Sequence, residues 1–108
     1  MSEDLTPLER EVLIITAREN WPGFHHETVR VARRENTGAG RFTYLEDVRG
    51  QSLSDGQYSA QGRVIEIPGI PNGLGFVIAV SSSRINYIEF FTYGNVSWEG
   101  AEEGWSIL

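Results

Sequence analysis

The stretch ENTGAGRFTY, residues 35–44, holds the grouping in this chain that most invites chemistry. Gly38 and Gly40 bracket Ala39, Arg41 follows at once, and Thr37 offers a hydroxyl beside them. Consecutive backbone N–H groups next to an arginine can cradle a phosphate when a helix start stands behind them. The next residues here, Arg41-Phe42-Thr43-Tyr44-Leu45, alternate as a strand does, and neither the Walker spacing nor G-x-G-x-x-G occurs. The pattern predicts a hairpin turn between two charged strands, with Gly38 or Gly40 at positive φ. Gly73-Leu74-Gly75 also opens a strand and lacks both motifs.

Other candidate groups are weaker. His25-His26-Glu27 suggests a metal, but adjacent histidines diverge on a helix or a strand and the chain has no third histidine. No metal site and no cofactor are expected. Ser81-Ser82-Ser83 falls at an inferred hairpin tip, without the Gly-x-Ser-x-Gly of a nucleophile elbow. Glu66 and Glu89 each lie between apolar neighbours, and alternation puts Glu89 on one face with Tyr87, Phe91 and Tyr93. A carboxylate among aromatics can act as a general acid, but this one has no partner for acid–base work. Arg30, Arg33, Arg34 and Arg41 cluster near Phe42 and Tyr44, as on single-strand nucleic-acid platforms, yet Glu35, Glu46 and Asp47 are interleaved. Near the C-terminal end, Glu99, Glu102 and Glu103 accompany Trp98 and Trp105, which suits a protein interface better than a pocket.

The elements that must position these residues are legible in part. Thr6-Pro7-Leu8-Glu9 is a capping box with proline in the first turn. Leu8, Val12 and Ile15 come next at helical spacing, with Glu9, Arg10, Glu11, Arg18 and Glu19 on the wet side. Asn20-Trp21-Pro22-Gly23 ends that helix, and a short second helix is predicted from about Pro22 to Thr28. From Val29 the period becomes two, placing Val29, Val31, Arg33 and Glu35 on one face and Arg30, Ala32, Arg34 and Asn36 on the other. Residues 49–57 read as a loop, Tyr58 to Ile67 as a strand, and Ile70-Pro71-Asn72-Gly73 as a turn. Phe76 to Val80 and Ile85 to Tyr93 form the predicted central antiparallel hairpin. The sum is a single α+β domain over residues 1–108, with helix packed on a mostly antiparallel sheet of about five or six strands.

Composition limits what the domain can do. A chain of 108 residues exposes roughly 6,000 Å² when folded and buries about 65% of its unfolded surface, enough for a core without disulfides. There is no cysteine, which excludes thiolate metal sites and cysteine nucleophiles. Met1-Ser2-Glu3-Asp4 is acidic where a secretion signal is basic, and Val12-Leu13-Ile14-Ile15 is far too short to span a membrane. The chain therefore reads as cytoplasmic, with no membrane partner. The net charge is −6, and residues 50–108 hold two arginines against six acidic residues. That balance opposes nucleic-acid binding and favours a basic protein partner. Oligomeric state is not encoded in any feature of this kind.

Four stretches together carry a family resemblance: residues 34–40 (RENTGAG), 66–69 (EIPG), 73–77 (GLGFV) and 88–94 (IEFFTYG), the last followed by Trp98. They resemble a group of small bacterial proteins with an RE-x-TG-x-G stretch, a GxGF strand and an LEG-aromatic-TYG…WP ending. The resemblance covers nearly the whole chain from Leu5 onward. Phe90 stands where that pattern has glycine, and no proline follows Trp98. The resemblance implies no activity and no catalytic residues. Some small acidic bacterial proteins of similar build act as immunity or antitoxin partners. The expected function is a non-enzymatic protein-binding module, immunity-like, for a basic partner, with Glu89, Tyr93, Trp98, Arg41, Glu99, Glu102 and Glu103 as candidate binding residues. The alternative is a small enzyme or ligand-binding domain that uses one sheet face around Glu89 and Arg41.

Overall fold

In the computed structural model, which describes residues 3–94 and 96–108, the capping box forms as expected. The Glu9 N–H donates to Thr6 Oγ1 at 3.1 Å, and the Thr6 N–H donates to Glu9 Oε1 at 2.9 Å. Helix α1 then runs over Pro7–Asn20 and stops where the Trp21 N–H reaches the Ala17 carbonyl ahead of Pro22. A helix of this length is marginal alone in water. Burial of Leu8, Val12, Leu13 and Ile15 in the core, each worth roughly 1.5–3 kcal/mol, holds it on the sheet. The expected second helix is only one 3₁₀ turn, His26–Thr28, because the chain enters the sheet at Val29.

Among the described residues the sheet is antiparallel at every pairing and has seven strands. They are β1 (Val29–Asn36), β2 (Gly40–Asp47), β3 (Gly56–Tyr58), β4 (Ile65–Ile67), β5 (Ile70–Ser81), β6 (Arg84–Thr92) and β7 (Ser106–Ile107). The order is β1-β2-β6-β5-β4-β7, with β3 beside the far end of β5. The central hairpin, β5–β6, is the predicted one, and Phe76, Ile78, Ile88 and Phe90 bury its inner face. Two expectations change. The strand predicted over residues 58–67 splits into β3 and β4 around a turn closed by the Arg63 N–H on the Ala60 carbonyl. The turn predicted at residues 70–73 belongs to β5; the reversal lies at Pro68-Gly69, where Gly69 has φ +90°, the geometry a type II turn requires.

A β-bulge decides the polarity of β1. Val31 pairs with Leu45 but Arg33 pairs with Tyr44, so Ala32 is the extra residue. Simple alternation predicts Val29, Val31 and Arg33 together. The bulge instead puts Val29, Val31 and Arg34 on the inner side and turns Arg33 outward.

The Gly-Ala-Gly stretch is the β1–β2 turn. Gly38 has φ +89°, and the Thr37 N–H donates to the Gly40 carbonyl at 3.0 Å. Gly40 is needed for a different reason: a Cβ there would collide with the Phe90 carbonyl oxygen of β6. The turn also presents carbonyls rather than an N–H nest. Gly38 O accepts from the Trp98 N–H and Ala39 O from the Thr92 N–H, both at 2.9 Å.

The β5–β6 turn is strained without glycine. Ser82 and Ser83 have φ of 53° and 65°, left-handed values that side chains disfavour. Asp55 offsets this by accepting from the Ser83 N–H at 2.8 Å and the Ser82 N–H at 3.3 Å. Replacing the pair by the hairpin dipeptide (Ser82→Asn with Ser83→Gly) is expected to raise stability by about 1 kcal/mol, read as a higher urea midpoint. In the same assay Gly38→Ala should cost about 1 kcal/mol through its φ. Gly40→Ala should cost more, roughly 3 kcal/mol, because two strands must separate to admit the methyl group.

Candidate functional site

The inner side of the sheet carries a buried ionic cluster built from three distant parts of the chain. Glu9 sits on the sheet-facing side of α1 and is fully buried, a correction to its predicted place on the wet side. Arg34 of β1 grips it with two bonds, Nη2 to Oε1 at 2.7 Å and Nε to Oε2 at 2.8 Å. Arg41 Nη2 and Thr43 Oγ1, both of β2, each donate to Oε2 at 2.8 Å. With the Thr6 N–H the carboxylate accepts five hydrogen bonds, which exceeds its usual four lone-pair positions.

Arg41 extends the cluster to the C-terminal segment. Its Nη2 also reaches Glu102 Oε2 at 2.6 Å, and its Nη1 reaches the Gly100 carbonyl at 3.3 Å. The guanidinium lies 5.2 Å from the ring centres of both Phe90 and Trp98, a cation–π setting for a desolvated charge. Trp98 is itself buried, edge-on to Phe90, and its Nε1–H donates to the Ala101 carbonyl at 2.8 Å.

Burial alone pushes the Glu9 carboxyl upward. The Arg34 bonds, the Thr6 N–H, the Arg41 charge and the Thr43 hydroxyl outweigh that and hold it below the ordinary carboxylate value. Sealed from water and with every lone pair occupied, Glu9 has nothing to offer a substrate. The cluster is a clamp, not a catalytic centre.

The outer side is different. Cross-strand pairing sets Glu35, Phe42, Glu89 and Val77 in one row, and Arg33, Tyr44, Tyr87 and Ala79 in the next. Phe42 and Tyr87 meet edge to face at 5.2 Å, and Tyr44 completes a three-ring group at 6.0 Å from each. Phe91 and Tyr93 pair at 5.7 Å and cover Gly75, where a Cβ would strike both rings. These rings are half-buried by one another, and Tyr93 is 41% exposed. Arg33 stacks on Tyr44 at 3.9 Å and pairs with Glu35 at 3.5 Å. Glu89, at the centre, pairs with no cation among the described residues.

The candidate residues named from sequence therefore separate into two groups. Arg41, Trp98 and Glu102 come together, but in the interior. Trp98 is a core anchor rather than an exposed one, and Glu102 is committed to Arg41. Glu99 and Glu103 stay exposed beside them. Glu89 and Tyr93 share the outer face with Tyr87 and Phe91, as alternation predicts. Glu89 and Arg41 lie on opposite faces of the sheet, since Arg41 pairs with Phe90 and Glu89 with Phe42. The arginine group also divides: Arg34 and Arg41 point inward, and Arg33 is held by Glu35. His25 and His26 both turn to Glu27, at 3.0 and 3.5 Å. Hollows of about 400 and 340 Å³ lie away from Glu89, one beside Pro68 and Gly73 and one around Trp21, Phe24 and Tyr58.

Sequence reasoning missed Glu9 and Arg34. The signal for Glu9 was available in its capping-box position, which bends the side chain back toward Thr6. Arg34 was hidden by the bulge. Among the described residues no helix is long and apolar enough to cross a membrane. Comparison with protein-family models, with curated protein sequences and with solved structures gives no match to this chain.

Glu9 makes the fold acid-sensitive. Its folded pKa lies below the unfolded value, so its stabilisation is fully present above the unfolded carboxylate range and is lost as pH falls through the folded pKa. Glu9→Gln should cost about 3–5 kcal/mol at neutral pH, because it leaves Arg34 and Arg41 facing a neutral group in the interior. The variant should also lose part of the acid limb of a stability–pH curve, measured by urea unfolding from neutral to acid pH.

Proposed function

We propose that this protein is a non-enzymatic protein-binding module that docks its partner on the outer face of the sheet. The observation that carries this reading is the group of five rings, Phe42, Tyr44, Tyr87, Phe91 and Tyr93, on a face over which the described residues lay no second layer. Aromatic side chains supply most of the binding energy in protein interfaces, and a contiguous apolar patch marks such a surface. The rings pack on one another, and the two hollows described above lie elsewhere, which suits a protein surface better than a small ligand.

The charge of −6 favours a basic partner through long-range attraction. It also disfavours nucleic acid, whose phosphates would be repelled. Small size and acidic charge agree with an immunity- or antitoxin-like role in the cytoplasm, as played by some small acidic bacterial proteins of similar build. The placement of Glu89 and Arg41 on opposite faces counts against the alternative of a small enzyme or ligand-binding domain that uses both on one face.

Affinity capture from the native cytoplasm should recover a protein partner, and the Phe42→Ala/Tyr87→Ala double variant should lose it while keeping its circular dichroism spectrum. Recovery of a defined small molecule with no protein would sink the reading.

A further inference from the structure

Glu89 occupies the middle of the aromatic face, between Tyr87 and Phe91 along β6 and between Phe42 and Val77 across the sheet. Any partner that covers these rings must also cover this carboxylate. Covering a carboxylate without a counter-charge or donors is costly, which favours an occupant that supplies a cation. The nearest cation in the adjoining row, Arg33, is already committed to Glu35 and to the Tyr44 ring.

We propose that the outer face takes a chain other than a second copy, one that seats an arginine or lysine against Glu89 between the rings. This rests on the protein-binding reading above. Charge complementarity chooses the occupant. A second copy would dock by a two-fold axis, with the same patch on both sides. An axis through the middle of the face sets Glu89 against Glu89, which repels. A foreign arginine does the reverse, pairing with the carboxylate and laying its guanidinium over tyrosine rings as Arg33 does on Tyr44 at 3.9 Å. Glu89 thus sets specificity twice, by admitting a cation and by opposing self-association.

The probes are two capped tripeptides, Trp-Arg-Trp and Trp-Glu-Trp, titrated into the isotope-labelled protein and followed by NMR. The arginine peptide should shift Phe42, Tyr87, Glu89 and Phe91, and Glu89→Gln should weaken it about tenfold, a typical loss for one interfacial charge pair. The glutamate peptide should leave those resonances in place. Equal binding of both peptides, or of neither, overturns the inference. So does a wild-type dimer in sedimentation that Tyr87→Glu dissociates, which would make a second copy the occupant. A native partner captured at full yield by Glu89→Arg would overturn the inference and leave the protein-binding reading standing.

Discussion

The fold turns on one carboxylate placed where carboxylates rarely go. Glu9 is fully buried, and its cost is met by two arginines, a hydroxyl and a backbone N–H arriving from three elements. Each ligand leans on the others: without Glu9 the buried Arg41 would keep only Glu102, and Arg34 only the exposed Glu3, as an acidic partner. The same set therefore fixes how α1 lies on β1 and β2. Through the bond from Arg41 to Glu102 it also fixes where the C-terminal segment crosses the end of the core.

The C-terminal segment uses the β1–β2 turn as its seat. Gly38 gives its carbonyl to Trp98, and Gly40 lets β2 approach β6 closely enough for Arg41 to reach Phe90 and Trp98. A sequence that invites comparison with an anion cradle is thus an acceptor site for the protein's own backbone. Beyond Trp98 the chain returns to the sheet edge, where β7 pairs with β4. With α1 and Trp98 both packed on the inner side, the outer face is left to its aromatic rings.

That division separates stability from recognition. The Glu9 cluster on the inner face is saturated with protein partners, while on the outer face Glu89 is a carboxylate that no cation has claimed among the described residues. The aromatic residues of this face are of the kind enriched in interface cores, and Glu89 is its departure, since charge is depleted there.

Much of this was readable from local pattern. The capping box, the β5–β6 hairpin, the glycine turn and the shared face of Glu89 with Tyr87 and Phe91 all derive from periods of 3.6 and 2 and from turn chemistry, which act over a few residues. What only the tertiary structure decided is where long-range neighbours meet. The bulge at Ala32 reverses Arg34, and with it half of β1. The burial of Glu9 depends on arginines 25 and 32 residues away. Trp98 became core rather than interface because the tail folds back over Phe90. Sequence by itself determined where α1 starts, the alternation along β2 and β6, and the turns at Gly38 and Ser82-Ser83, because those are short-range steric preferences. Which face of each element met the interior was decided by packing and charge pairing between residues that no local pattern brings together.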